Sequence, residues 1–90
     1  MWDVQESRET LKALAKAPHD IRAKYNVWRG IVRNSGLVGL REGKGFHDEA
    51  LQGRWKGARS SRLGRKYRVF YKADGATFRV FVLDVNAHKY

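Results

Sequence analysis

The chain contains no cysteine, which excludes disulfide bonds and metal sites held by thiolates. No apolar run approaches the roughly 18 residues that a membrane-spanning helix needs. The amino-terminal stretch MWDVQESRE also lacks the basic and then apolar layout of a signal peptide. We therefore expect a cytoplasmic protein with no membrane partner.

Acidic residues are scarce as well. The chain has 19 Lys and Arg against 9 Asp and Glu, a formal net charge of +10 in 90 residues. This balance in a small domain indicates a polyanionic partner, usually nucleic acid, or an acidic protein. A merely soluble surface is the alternative, but solubility does not require the charge to be clustered. Because the chain has 90 residues, we expect one domain, residues 1–90, with one modest core. A hydrophobic content of 42% suits a globular fold rather than a disordered chain.

The positive charge is concentrated in a stretch that has no acidic residue at all, from Ala50 to Ala73. Local salt bridges cannot account for this clustering, because their acidic partners are missing from the stretch. Distant carboxylates, a charged ligand or a second protein must offset the field. The cations are Arg54, Lys56, Arg59, Arg62, Arg65, Lys66, Arg68 and Lys72.

Two helices are predicted in the first part of the chain, after a short strand over residues 1–5. Ser7 can cap the first helix, and Pro18 ends it. The second helix begins at Asp20 and ends at Asn34-Ser35-Gly36, where the glycine suits a left-handed cap. One face of this second helix carries an apolar stripe formed by Ile21, Tyr25, Trp28 and Val32.

The pattern then changes to that of a sheet. Five glycines favour a loop over residues 36–53, and strands are predicted over residues 56–63, 66–73 and 77–85. Asp74-Gly75 is a hairpin turn signal, and the last strand, apolar on both faces, is expected to be central. The predicted fold class is α+β, with an N-terminal helical hairpin packed on a small, mainly antiparallel β-sheet.

The aromatic residues divide into core and surface candidates. If the helices cover one face of the sheet, the other face presents cations with aromatic side chains nearby, which suits RNA. The expected surface aromatics are Trp55, Tyr67 and Tyr71, with a core position equally open for the first two. The expected core aromatics are Trp28, Phe70, Phe78 and Phe81.

Two segments, GFHDEALQGRWKGARSSRLGRKYRVFY and VFVLDVNAHKY, resemble the RelE/ParE superfamily of bacterial toxins. The similarity is greatest to the ribosome-dependent mRNA interferases of the RelE, HigB and YafQ type. Their most specific shared features are the W-K-G-x-R-S-x-R-L run, the Y-R-V-x-Y strand and a terminal His followed by Tyr. The resemblance implies a RelE-like microbial RNase fold over most of the chain.

What the resemblance implies for function is a bacterial type II toxin that enters the ribosomal A site, against 16S rRNA, and cuts the mRNA there. The ribose 2′-hydroxyl would attack the adjacent phosphate, with no cofactor and no metal. A cognate antitoxin would be its protein partner, with acidic and apolar residues near Arg54, Arg59 or Arg65. An alternative from a different class of function is a ParE-like toxin that inhibits DNA gyrase without cutting RNA. A noncatalytic RNA-binding module would also explain the positive charge, but this interpretation leaves the terminal His and Tyr motif unexplained.

The family roles can be carried over by position. The implied catalytic residues are Arg62, which would stabilise the phosphate, Lys56, which would hold it or act in catalysis, and the terminal pair His88 and Tyr90. The implied RNA-binding residues are His47, Arg54, Arg59, Arg65, Lys66 and Arg68. Of these, Arg68 is open to a second interpretation, because an arginine on a strand can pair with a carboxylate instead.

Other polar residues carry weaker functional hypotheses. Glu49 is a candidate catalyst, although a solvated loop carboxylate is the favoured interpretation. His19 is expected to begin a helix, and the spacing of His19, His47 and His88 does not favour zinc. The sequence departs from HigB-like relatives at Lys89, where those commonly have Asp. If that aspartate acts in the relatives, catalysis here must differ or be weaker.

Overall fold

A computed structural model describes residues 1–42 and 45–87. The elements along the chain are β1 (Asp3–Glu6), α1 (Arg8–Lys16), α2 (His19–Glu42), β2 (Glu49–Ala50), a 3₁₀ turn (Gly53–Trp55), β3 (Arg59–Arg62), β4 (Arg68–Asp74) and β5 (Arg79–Asn86). The strands form one sheet in the order β1-β5-β4-β3-β2. Only the β1–β5 pair is parallel among these described strands. The predicted α+β fold is confirmed.

Helix α1 has the predicted ends. The Ser7 side chain accepts a hydrogen bond from the Thr10 backbone N–H at 3.0 Å, and α1 stops at Lys16, before Pro18. The Ser7 hydroxyl donates to the Leu83 carbonyl at 2.9 Å, and the Thr10 hydroxyl donates to the Val82 carbonyl at 3.1 Å. The cap therefore also ties α1 to strand β5.

Helix α2 starts at His19, one residue before its predicted start at Asp20, and continues beyond its predicted end. Its apolar stripe is buried, which confirms the helical periodicity. The prediction that Gly36 ends the helix is wrong: Gly36 has φ 67° and forms a kink, after which helical structure runs on to Glu42. The last turns pack because Leu40 is buried in the core. The expected loop over residues 36–53 therefore contains the end of α2 and also the two residues of β2.

The three predicted strands exist, with later starts. Strand β3 begins at Arg59 because the preceding residues form the 3₁₀ turn and its exit. The turn between β4 and β5 spans residues 75–78, and the Asp74 carboxylate accepts a hydrogen bond from the Ala76 N–H at 3.0 Å. Strand β5 lies between β1 and β4, so its predicted central position is confirmed.

Both helices lie on the same side of the sheet, and the core fills the space between them and that face. Trp28 of α2 is fully buried and meets the ring of Tyr71 of β4 edge-on, with centroids 5.2 Å apart. The expected surface position of Tyr71 is therefore wrong, because the alternation of β4 turns this side chain toward the helices. We call the opposite side of the sheet the open face.

The core position expected for two phenylalanines is also wrong. Phe81 is 37% exposed and Phe78 is 56% exposed. Strand β5 buries the alternate residues Val80 and Val82 toward the helices, which leaves Phe81 on the open face. Phe78 lies in the preceding turn. In the described residues, no helix combines the length and the apolar character needed to cross a membrane.

Candidate nucleic-acid interface

The open face carries two arginines side by side at one end. Arg62, the last residue of β3, pairs in register with Arg68 of β4, and Arg68 pairs with Asn86 of β5. We call Arg62 and Arg68 the basic row. Directly opposite residues of antiparallel strands have Cβ atoms about 4.5–5.5 Å apart, and like charges at that distance repel. An anion bound between the two guanidinium groups would relieve this repulsion.

The two arginines of the basic row differ in their surroundings. The Arg68 guanidinium donates to the Glu49 carboxylate at 2.8 Å and to the buried Ser60 hydroxyl at 3.1 Å. The second interpretation of Arg68, pairing with a carboxylate, is thus realised. Arg62 is exposed, and none of the carboxylates in residues 1–42 and 45–87 lies within salt-bridge distance of it. Arg62 therefore has the less compensated charge of the row.

Beneath the sheet, on the helix side, the Asp48 carboxylate is the centre of a buried network. Its side chain is 1% exposed and accepts two hydrogen bonds from Arg59, at 2.9 and 2.7 Å. It also accepts bonds from the hydroxyls of Ser61, at 2.7 Å, and of Tyr71. The Ser61 oxygen in turn accepts from the Trp28 indole N–H at 3.0 Å, which connects the network to α2.

Two members of the Asp48 network, Tyr71 and Arg59, have shifted pKa values. Burial, followed by the hydrogen bond to Asp48, raises the pKa of Tyr71 far above its ordinary value. For Arg59, burial acts to lower the pKa, but the hydrogen bond and the charge of Asp48 outweigh it and raise the pKa. Tyr71 therefore stays protonated and Arg59 stays charged at neutral pH.

These contacts show how part of the positive charge of the acid-free stretch is neutralised within the fold. Asp48 and Glu49 are consecutive, precede the stretch, and point to opposite faces of the sheet. They pair with Arg59 and Arg68 respectively. The role of Asp48 was missed from the sequence, and the signal available was that Asp48 and Glu49 are the last acids before the acid-free stretch. Arg59, expected to bind RNA, is engaged with Asp48.

The connection from β3 to β4 adds two more cations next to the basic row. Arg65 and Lys66 are exposed in this loop, which is closed by a hydrogen bond from the Leu63 N–H to the Tyr67 carbonyl at 2.9 Å. A Cβ added to Gly64 would lie 2.7 Å from the side chain of Ile21 in α2, so the loop packs tightly on the start of that helix. Tyr67 is partly buried against the core.

Arg54 and Lys56 lie elsewhere. They are exposed at the tip of the β2–β3 hairpin, which is extended by a hydrogen bond from the Leu51 N–H to the Ala58 carbonyl at 3.0 Å. Arg62 lies at the other end of β3, and the strand alone spans about 10 Å at roughly 3.3 Å per residue. The structure therefore brings Arg62, Arg65, Lys66 and Arg68 to one end and leaves Arg54 and Lys56 at the other.

The histidines occupy separate places. His47 is exposed, has φ 44° and directly precedes Asp48. His19 is the first residue of α2, as predicted. The predicted residues His88 and Tyr90 lie outside the described residues. Within the described ranges, no group of three or more His, Asp or Glu could hold a metal ion.

A cleft of about 310 Å³ lies far from the basic row, at the opposite edge of the sheet. It is bordered by Trp2 and Val4 at β1 and by Arg29 and Arg33 of α2. Arg29 is already paired with Glu6 at 3.0 Å, and Glu6 also accepts a hydrogen bond from the Tyr25 hydroxyl at 2.7 Å. This cleft belongs to the joint between β1 and α2, three strands from Arg62.

Two helices on one face of a five-stranded, mostly antiparallel sheet define the fold of the RelE/ParE-like toxins. Solved structures of this class match the chain over nearly its whole length, and at these identities the likeness establishes the fold. The RelE–RelB complex from the archaeon Pyrococcus horikoshii is 21% identical, with TM-score 0.76, over 96% of this chain and 93% of that chain. YafQ from Escherichia coli is 20% identical, with TM-score 0.77, and the match covers 98% of this chain and 94% of that chain.

A third similar structure is the heterotetrameric YoeB–YefM toxin–antitoxin complex from Staphylococcus aureus. It is 17% identical to this chain, with TM-score 0.75, and the match covers 99% of each chain. No protein-family model and no curated protein matches the chain.

Proposed function

We propose that this protein is the toxin of a type II toxin–antitoxin pair and that it cuts mRNA in the ribosomal A site. The single observation that carries the proposal is the basic row, two adjacent arginines beside one exposed carboxylate on the open face of a RelE-like fold. The structural likeness to RelE, YafQ and YoeB supports the toxin role. The motif resemblance to the mRNA interferases supports the reaction.

The proposed reaction is transesterification within the RNA. The 2′-oxygen forms a bond to the adjacent phosphorus, the bond to the 5′-oxygen breaks, and a cyclic phosphate and a free 5′-hydroxyl result. Negative charge accumulates on the phosphate in the transition state, where fixed cations stabilise it most effectively. We assign this role to Arg62, whose guanidinium can present paired N–H donors to phosphate oxygens, and to Arg68, whose bonds to Glu49 and Ser60 use Nε and Nη2 and which can present its Nη1 group.

Two protons must also move, one from the 2′-hydroxyl and one to the leaving 5′-oxygen. Glu49 is the carboxylate that lies on the open face beside Arg68, and its side chain is 62% exposed, so it can accept the first proton. The family motif assigns catalytic contacts to His88 and Tyr90, and we assign the second proton transfer to this pair. They follow β5, which reaches the basic row at Asn86.

The other cations of the chain are proposed to hold RNA rather than to act on it. Arg65 and Lys66 are positioned for phosphates next to the cleaved bond. Arg54 and Lys56 lie too far along the β2–β3 hairpin to share that phosphate with Arg62, so we assign them to more distant mRNA or 16S rRNA phosphates. His47, exposed one residue before Asp48, is a further RNA contact.

The proposed protein partner is a cognate antitoxin with an acidic segment. Comparable toxins are seen bound to RelB and to YefM. Because the chain carries a net charge of +10, an acidic segment over the exposed cations of the open face would neutralise it. We expect such a segment to lie near Arg54 or Arg65.

The test is single-turnover cleavage of mRNA on programmed ribosomes by the wild-type protein and by Arg62→Ala, with ribosome binding measured separately. Because Arg62 stabilises charge that appears in the transition state, cleavage should fall about 10²-fold or more. Ribosome binding should change far less. Lys12→Ala, which removes an exposed cation from α1, is the matched control and should cut at the wild-type rate.

Cleavage by Arg62→Ala at the wild-type rate would show that the assigned site is wrong. A wild-type protein that never cuts translated mRNA but inhibits DNA gyrase would establish the ParE-like alternative. Equal cutting of free and translated RNA would contradict dependence on the ribosome.

A further inference from the structure

An aromatic ring is exposed on the open face at a distance from the basic row. Phe81 is 37% exposed although it lies on the central strand β5, between the buried residues Val80 and Val82. In register beside it are Gln5 on β1 and Lys72 on β4. Single exposed apolar side chains are common, so it is the cation of Lys72 in register beside the ring that makes this place a candidate surface for a nucleic acid.

The residues in register on the two sides of Phe81 differ in charge. Toward one end of the sheet, Arg79 is flanked in register by Asp3 and Asp74. Toward the other end, the face becomes positive at the basic row. Between the basic row and Phe81, Asp84 of β5 lies in register with Phe70 of β4, and its carboxylate accepts hydrogen bonds from the Val85 backbone N–H and the Asn86 side-chain amide. Lys72 therefore supplies the cation in register with Phe81, while the row of Arg79 adds two carboxylates that repel a polyanion.

We propose that Phe81 is a stacking platform for a base of the bound RNA, with Lys72 contacting the adjoining phosphate. This inference rests on the proposed function, and it adds a second nucleotide subsite to the same RNA path. Sheet faces with exposed aromatic rings bind single-stranded RNA in this way, because every base has a flat face and stacking tolerates any sequence.

The distance between Phe81 and the basic row indicates which nucleotide of the RNA would stack on the ring. Lys72, in register with Phe81, lies four residues from Arg68 on β4, about 13 Å at roughly 3.3 Å per residue. This is too far for one nucleotide to stack on Phe81 and place its own phosphate in the basic row. The stacked base therefore belongs to a nucleotide outside the cleaved step, and Phe81 positions the strand without touching the reacting atoms.

The experiment uses the whole protein and short single-stranded RNA oligonucleotides that cannot be cut because the 2′-hydroxyl at the cleaved position is replaced by hydrogen. One set carries an abasic nucleotide at each position in turn. Affinity is measured for the wild type, for Phe81→Ala and for Phe81→Leu, which keeps an apolar side chain but removes the ring. Phe78→Ala is the matched control, because Phe78 is also exposed but lies in the turn against Trp2.

Stacking of one base contributes about 1–3 kcal/mol, so Phe81→Ala should weaken binding about 5- to 150-fold. Phe81→Leu should recover little of this loss, and Phe78→Ala should bind like the wild type. One abasic position should weaken binding to the wild type by a similar factor and have no further effect on Phe81→Ala. That position should lie outside the cleaved step.

Three results would overturn the inference. They are wild-type affinity in Phe81→Ala, a loss in Phe81→Ala that is independent of every abasic position, and absence of oligonucleotide binding by the wild type. The proposed cleavage is tested separately. If the abasic pattern is found but the wild type never cuts mRNA on ribosomes, the subsite stands and the proposed reaction fails. If Arg62→Ala abolishes cleavage but Phe81→Ala binds normally, the subsite fails alone.

Discussion

At the scale of single residues, the neighbouring acids Asp48 and Glu49 have different physical roles. The Asp48 carboxylate is buried and accepts hydrogen bonds from three side chains, whereas the side chain of Glu49 is 62% exposed and bonded to Arg68. Removing one partner of a buried ion pair leaves an uncompensated charge in a poorly hydrated site, which is strongly destabilising. An exposed pair contributes little, because water and salt screen it.

We therefore predict that Asp48→Asn lowers the free energy of unfolding by about 3 kcal/mol. Glu49→Gln, one residue away, should lower it by less than about 1 kcal/mol. Urea denaturation of both variants and the wild type measures the difference. Equal stability of the two variants would mean that the buried network does not stabilise the fold.

At the scale of elements, the kink in α2 depends on one glycine. Gly36 has φ 67° and ψ −159°, a combination that is essentially restricted to glycine. A Cβ at this position would lie 2.6 Å from the indole nitrogen of Trp2. The kink therefore needs both the backbone freedom of glycine and its missing side chain, and it determines how the end of α2 meets the first residues of the chain.

Gly36→Ala should lower the free energy of unfolding by at least about 1–3 kcal/mol from backbone strain, and by more because Trp2 must move. The matched control is Gly30→Ala in the same helix, where an added Cβ would meet no atom within 4 Å. That variant should be more stable than the wild type by about 0.5–1 kcal/mol, because alanine favours a helix interior over glycine. Opposite changes in the thermal midpoints of the two variants would confirm the prediction, and a stabilising effect of Gly36→Ala would contradict it.

At the scale of the whole molecule, the charge exceeds what the fold itself neutralises. In the described residues, Arg29, Arg59 and Arg68 form salt bridges with carboxylates. The cations at the tip of the β2–β3 hairpin and in the β3–β4 loop are exposed. The structure therefore uses part of the positive charge to build the sheet and presents the rest to a partner.

Binding to RNA or ribosomes should consequently depend strongly on salt. If about 5 cations contact phosphates of single-stranded RNA, the logarithm of the affinity should fall with the logarithm of the salt concentration at a slope near −3.5. Arg62→Ala should reduce the steepness by about 0.7, and Lys12→Ala should leave it unchanged. A nearly flat titration of the wild type would exclude phosphate binding by the open face.

Much of the fold could be predicted because its signals are local. The cap at Ser7, the stop before Pro18 and the apolar stripe of α2 each depend on residues within a few turns of one helix. The hairpin signal at Asp74 is equally local. Arg62 was singled out from its motif, but only the fold shows that none of the described carboxylates pairs with it, since Arg59 and Arg68 of the same stretch do form salt bridges.

The rest depended on the register between strands, which local sequence does not contain. Tyr71 and Phe81 both lie on apolar strands, and the side of the sheet that the helices cover decides that Tyr71 is buried and Phe81 exposed. The end of α2 was predicted too early because the burial of Leu40 stabilises helical turns beyond the kink at Gly36, and this burial is not visible in the local sequence.

By itself, the sequence determined the two helices, the strands other than β2, their order and the excess of positive charge, since these follow from neighbouring residues and from composition. The tertiary structure alone decided which carboxylate meets which arginine. Asp48 reaches Arg59 and Tyr71, and Glu49 reaches Arg68, only after β2, β3 and β4 have paired. The reason is physical: a salt bridge needs its two groups within about 4 Å, and distant residues reach that separation only through the folded backbone.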